Sequence, residues 1–233
     1  MVIADTFISQ HSCSYLPNRD ASLEYVLVEK ISAEEYNYLM INGWRRFGHS
    51  LFKPKCQTCH ACESLRIIVK DFKPNRSQKR AWKTNLDVEL RIKTPHVTYE
   101  KLDLYNKYHF FQSFHRDWPD RGNRTEHEYA VSFTENPFKT EEWCYYLDDK
   151  LIALGYVDAL EGGLSAIYFY YDPDHRDRSL GTFNVLKIID DCQNRQLEHV
   201  YLGYYVANCG SLAYKANFLP FELNDPQSEE GWR

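Results

Sequence analysis

The sequence predicts a mixed α/β protein on three observations. From about residue 86 onward, strand-like and helix-like patterns alternate along the chain. Eighteen Tyr and thirteen Phe suit pleated strands and stacked aromatic surfaces. The stretch "SAIYFYYDPDHRDRSLGTFNVLK", residues 165–187, reads as an aromatic strand, a basic glycine-bearing turn and a helix. At 233 residues the chain can bury a substantial core, as one large domain or two lobes.

Taken in order, "ASLEYVLVEK" (21–30) alternates as a strand. "SAEEYNYLMIN" follows with Ser32 and Glu35 spaced as a capping box, so a helix begins there and stops at Asn42-Gly43. "SLRIIVKDF" (64–72) is rich in β-branched residues and bounded by Pro74, which predicts a strand. Ser77 is placed to cap a short basic helix running to about Lys83. "DVELRIK" (87–93) alternates as a strand, and a helix starts near Thr98 with Leu104, Tyr108 and Phe111 on one face. "DWPDRGNRTEHE" (117–128) is charged and turn-rich, as a surface loop is. Three strands follow in "EWCYYLD", "KLIALGYVDA" and "LSAIYFYYD", with a tight turn at Asp148-Asp149. Helix "SLGTFNVLKIIDDCQNRQ", strand "HVYLGYYV", short helix "CGSLAYKANF" and strand "LPFEL" complete the chain. Residues 1–84 read as an N-terminal lobe carrying a cysteine cluster and a basic segment, and residues 85–233 as a second, α/β domain.

Composition excludes several classes. No apolar run approaches the roughly 18–20 residues of a membrane span. The N-terminus has no basic region ahead of an apolar stretch, so it does not read as a signal peptide. A reducing cytoplasm is therefore expected, with the seven cysteines as thiols or metal ligands. The net charge of −5 hides an asymmetry: residues 43–93 hold 13 Lys and Arg against four Asp and Glu. Local positive charge is what phosphate binding needs, although it also suits a solvated face.

From residue 86 the order β, α, β, β, β, α, β, α, β is that of the GCN5-related N-acetyltransferase fold, a mixed sheet with helices on both faces. There the loop before the central helix cradles a pyrophosphate on backbone N–H groups. Here Arg178-Ser179-Leu180-Gly181-Thr182-Phe183 supplies the first glycine of that loop but places Phe183 in the last small position. A bulky residue there is expected to hinder coenzyme A, whereas an aminoacyl-tRNA donor suits both this departure and the basic segment.

"LSAIYFYYDPDHRDRSLGTF" and "YLGYYVANCGSLAYKANFLPFEL" resemble the C-terminal half of the arginyl-tRNA–protein transferases. The matching motifs are the Tyr-Phe strand ending in Asp-Pro, then Ser-Leu-Gly, Gly-Tyr-Tyr and Tyr-Lys. "GWRRFGHSLFKPKC" resembles the N-terminal half. "CSYLP", "CQTCHAC" and "FKPNRSQ" are similar to the short bacterial branch, the aspartate/glutamate leucyltransferases, over roughly residues 13–225. The resemblance implies transfer of leucine from leucyl-tRNA to the α-amine of proteins that begin with Asp or Glu, which marks them for N-degron degradation. It also implies a cytoplasmic monomer with no membrane association.

Aminolysis of an activated ester needs positioning and oxyanion stabilisation more than a strong base. Tyr168 and Tyr170 share one face of their strand, where one of them can orient the amine or donate to the oxyanion. Asp172 can attract the ammonium or take its proton. Two core tyrosines and a turn-forming Asp before Pro173 would look the same. Under the resemblance, Arg176, Arg178, Ser179, Leu180, Gly181, Tyr204 and Tyr205 hold the phosphate and ribose of the tRNA 3′ end. An acidic acceptor calls for a guanidinium or ammonium partner. Arg45, Arg46, Arg76, Lys79 and Arg80 are candidates for it and for tRNA phosphate alike.

Cys56, Cys59 and Cys62 are spaced compactly enough for thiolate metal binding. The resemblance implies Cys13 as a fourth ligand, for zinc or an iron–sulfur cluster, although the reaction requires no cofactor. Leu16 departs from the family pattern, where eukaryotic members place a second N-terminal cysteine. Three rivals share these features: an arginyl-specific enzyme, an acetyl-CoA-dependent acetyltransferase, and a non-catalytic metal- and RNA-binding module.

Overall fold

A computed structural model describes residues 1–116, 118–119 and 122–233. Two sheets organise it. The smaller has four antiparallel strands in the order β1-β2-β4-β3: β1 Val2–Ser12, β2 Asp20–Lys30, β3 Arg45–Phe47 and β4 Ser50–Pro54. Helix α1, Ala33–Ile41, joins β2 to β3. It starts on the expected capping box, with Glu35 N–H donating to Ser32 Oγ and Ser32 N–H to the Glu35 carboxylate.

The larger sheet has seven strands in the order β11-β5-β10-β9-β8-β7-β6. They are β5 Glu63–Ile68, β6 Glu89–Lys93, β7 Thr140–Leu147, β8 Lys150–Leu160, β9 Gly163–Tyr171, β10 His199–Tyr205 and β11 Phe221–Asn224. All pairings are antiparallel except β9 with β10. Helices cover both faces. On one lie α2, Arg76–Thr84, and α5, Leu180–Asn194, over Trp143, Tyr145 and Ile152. On the other lie α3, Tyr99–Arg116, and α4, Glu126–Phe133, over Tyr156 and Tyr170. The alternation along β7 sends Trp143 and Tyr145 to the first face and Cys144 and Tyr146 to the second. This is the mixed α/β acetyltransferase-like arrangement that the element order predicts. Helix α6, Gly210–Ala213, lies between β10 and β11.

Several details differ from expectation. β5 inserts between β10 and β11, so residues 63–84 lie with the larger sheet, although the sequence groups them with the N-terminal lobe. The strand expected over 64–72 gives way at Val69 to a 3-10 turn. α2 is capped by Asn75, paired with Gln78, rather than by Ser77. The loop expected over 117–128 lies partly outside the described residues, and its end is already helix α4, which Thr125 and Glu128 cap as a box. β1 had no sequence signal because it is an edge strand whose side chains are nearly all exposed. Asp148 and Asp149 both have positive φ and close the β7–β8 hairpin as expected.

The two sheets share a third core in which Val28, Tyr36, Met40 and Leu51 pack against Leu160 of β8 and Tyr201 of β10. The small sheet is thereby held over the end of the large sheet where β9 and β10 diverge.

A strand wedge and its surroundings

β9 and β10 pair only from Gly163–Ser165 to His199–Tyr201. Beyond that point β9 stays with β8 and β10 stays with β5, so a wedge opens between the two parallel strands. Gly203 lies in this wedge with φ of +76°, at a register break between β10 and β5. A side chain is strained at that φ. The small sheet leans over the opening. The Phe47 ring, 38% exposed, stands edge-on to Tyr168 of β9 at 5.9 Å, and Phe52 lies between Phe47 at 5.8 Å and Tyr204 of β10 at 6.5 Å.

Two cations reach the same place. Arg45 is 6% exposed. Its Nη1 donates to the Met40 and Trp44 carbonyls at 3.1 and 2.6 Å, which closes the end of α1. Its Nε and Nη2 are buried with no hydrogen-bond partner. Lys215, in a 3-10 turn after α6, is 8% exposed and donates to the Tyr204 carbonyl at 2.5 Å. Burial, together with the charge of Arg45, lowers the Lys215 ammonium to about 7. The Arg45 guanidinium stands 5.5 Å from the Tyr204 ring centre, and the Tyr204 hydroxyl donates to Gly43 O at 2.8 Å.

Arg46 points the opposite way. It forms a forked pair with buried Asp158, its Nε at 2.9 Å from Oδ2 and its Nη2 on Oδ1, while Tyr36 and Thr140 donate to the same carboxylate. That guanidinium is used within the core and does not face the wedge.

On β9 the two tyrosines share a face but not an environment. Tyr168 is half-buried, with its hydroxyl 2.8 Å from His109 Nε2 of α3 and its ring stacked on the imidazole. Tyr170 is 0% exposed, and its hydroxyl belongs to a buried network with Tyr129 and Tyr156. Tyr168 can therefore meet a ligand directly, whereas Tyr170 acts on it only through packing. Tyr205 lies at the end of β10 against Phe221.

The turn from β9 to α5 is tied down by its own charges. Asp172 accepts from Lys107 at 2.6 Å, from Lys150 at 3.1 Å and from Asp174 N–H at 3.0 Å. Burial would raise its carboxyl, but these bonds outweigh burial and hold it below the usual range. Asp172 is thus an ion-paired turn residue rather than a free base. Arg176 donates to Pro173 O, and Arg178 grips Asp87 with two bonds of 2.9 and 3.0 Å. Ser179 stands at the N-cap position of α5 with φ of +56° and no side-chain capping bond, Leu180 is buried, and the space beside Gly181 is open. Phe183 does not present the steric hindrance to coenzyme A that its place in the loop predicts. The Phe183 ring turns into the core against Trp82 and Tyr145 and does not cover the helix N-terminus.

α2 presents Arg76, Lys79, Arg80 and Lys83 around an open groove of about 560 Å³. Among the described residues none of the four has a carboxylate partner. The groove leads to the α5 turn, because Asn85 at the end of α2 donates to Arg178 O and Arg178 donates to Thr84 O.

The cysteines gather without forming a ligand set. Burial, and then the charges of Cys13, Cys56, Cys59 and Cys209, push the Cys62 thiol up to about 12. Among the described residues, however, no three Cys, His, Asp or Glu side chains converge as metal ligands, and His60 is taken by Asp225 at 2.7 Å. As they stand, the described thiols are not arranged as a ligand set for zinc or an iron–sulfur cluster.

Family models described as arginine-tRNA-protein transferase, N terminus and C terminus, match residues 11–80 and 100–225. A Campylobacter jejuni protein named aspartate/glutamate leucyltransferase is 36% identical over 92% of this chain and 90% of its own. Proteins of the same name from Helicobacter hepaticus and Pseudomonas fluorescens are 32% and 36% identical, over 96% and 91% of this chain and 92% and 90% of theirs. The crystal structure of FemX superposes with a TM-score of 0.52 at 8% identity, over 94% of this chain and 86% of that one, a likeness of fold alone.

Proposed function

The chain belongs to the arginine-tRNA-protein transferase family, and from that premise we propose that it moves leucine from leucyl-tRNA to the α-amine of proteins beginning with Asp or Glu. The observation that carries this reading is the likeness, over more than nine-tenths of the chain, to transferases named for that acceptor and that amino acid. The product would begin with leucine and enter N-degron degradation. Charged tRNA is a cytoplasmic reagent, and the reading is of a cytoplasmic enzyme acting as a monomer.

The chemistry is the attack of a neutral amine on an ester. The new C–N bond forms, the C–O bond to the terminal ribose breaks, and the amine proton ends on the departing ribose hydroxyl. With an α-amine pKa of about 7.7–8.0, roughly a tenth or more of the acceptor is already neutral at pH 7. Holding amine and ester together in the wedge is then the main task. In this reading the α2 groove takes the tRNA backbone, and the open amides at the start of α5 take its last phosphate or ribose. Arg176 and Arg178 shape that turn, and Tyr168, held by His109, orients the amine or donates to the oxyanion.

The wedge also bears on which amino acid is donated. Phe47, Phe52 and Tyr168 offer apolar ring faces, which suit a leucyl side chain. The charges beside them are cations, which would repel an arginyl one. The test is a donor panel of leucyl-tRNA, arginyl-tRNA and acetyl-CoA offered with one Asp-leading peptide. Leucine alone should be incorporated. Incorporation of arginine or acetyl in its place would refute the reading.

A further inference from the structure

A buried cation without an anion is costly, and proteins seldom keep one unpaired. This protein keeps two together. Arg45 holds two orphaned guanidinium nitrogens, and Lys215 has only the Tyr204 carbonyl. Among the described residues neither has an acidic partner. The charge facing Lys215 is that of Arg45 on β3, while Cys209 ahead of α6 and the Tyr204 carbonyl favour its protonation. Between the two cations the chain has removed a side chain. A Cβ on Gly203 would have Arg45 Nε at 3.6 Å and Lys215 Nζ at 3.8 Å among its nearest neighbours, in ordinary contact with both. The absent side chain therefore leaves a small cradle over Gly203, with the two cations on its walls.

We propose that Arg45 and Lys215 form the specificity site that reads the side-chain carboxylate of the acceptor's first residue, over Gly203. This rests on the transferase reading above and adds to it Lys215, which the sequence singles out only within the Tyr-Lys motif. A carboxylate in the cradle would accept from Arg45 Nε or Nη2 and from Lys215 Nζ, so that three buried charges become a satisfied set. An amide-bearing Asn or Gln would leave both cations uncompensated.

The experiment compares transfer to Asp-leading and Asn-leading peptides of otherwise equal sequence. Lys215→Met should raise KM for the Asp peptide by about tenfold to a hundredfold, the size expected for a charge-assisted bond, and lower the Asp-to-Asn preference accordingly. Lys215→Arg should restore the preference and show that the fold tolerates change there. The preference also has a pH signature in which the amine titration cancels. In the native enzyme it falls as the pH rises through about 7, where Lys215 loses its charge, and with Lys215→Arg it stays flat. An equal slowing of both peptides by Lys215→Met, with KM unchanged, overturns the proposal. If no donor is used at all, calorimetry of the peptides alone still decides. Preferential binding of the Asp peptide that Lys215→Met abolishes supports the site, and equal binding of both peptides by the native protein overturns it.

Discussion

Arg45 and Arg46 are neighbours in the chain with opposite roles. Strand alternation turns one toward the wedge and the other onto Asp158, and a sequence motif containing both cannot say which is which. The assignment predicts different consequences. Arg46→Met should destabilise by about 3–5 kcal/mol, because it leaves Asp158 buried and unpaired. Denaturant unfolding measures this, and a loss below 1 kcal/mol would contradict the pairing. Asp172 gives a second prediction at this scale. Its carboxyl is depressed on folding, so its contribution is complete above its unfolded pKa of about 3.9 and is lost as the pH falls through the lower folded value. Asp172→Asn should therefore destabilise at pH 7, by a margin that is smaller at pH 2. A stability gap unchanged between the two pH values would contradict the ion pairs with Lys107 and Lys150. Sequence offered Asp172 both as a base and as a turn-former. Only the two lysines, 65 and 22 residues away, separate those roles.

Among the elements, α2 carries the clearest expectation. Its four cations face one groove with no acid between them, and its C-terminus abuts the turn into α5. Replacing Arg76, Lys79, Arg80 and Lys83 by Gln should weaken tRNA binding and reduce the slope of log affinity against log salt by about 3. A slope that does not move would place the tRNA elsewhere. The helix and its basic character were legible in the sequence, but its cap was not, because Asn75 and Ser77 are both good capping residues. The strands of the large sheet were legible where buried aromatics alternate. β1 was not, since an exposed edge strand has no buried face to impose a period. Helix α4 was hidden inside a turn-rich composition, although Thr125 and Glu128 spell the same capping box that revealed α1.

For the molecule as a whole, local patterns predicted the order of elements well and their partners poorly. β5 joins the large sheet between β10 and β11 through contacts more than 130 residues distant, and no window of sequence holds that information. The wedge depends on such contacts. It needs β9 and β10 to part, β3 to lean over them from the other sheet, and Lys215 to return beneath Gly203. Motif resemblance therefore identified the family, while the site follows from the way the two sheets meet. In this protein one assembly is proposed to join a leucyl donor to an acidic N-terminus. The most direct measurement is the intact mass of four peptides, leading with Asp, Glu, Asn and Ala, after incubation with leucyl-tRNA. The Asp and Glu peptides should each gain one leucine residue and the others none. Equal gains on all four, or none on any, would contradict it.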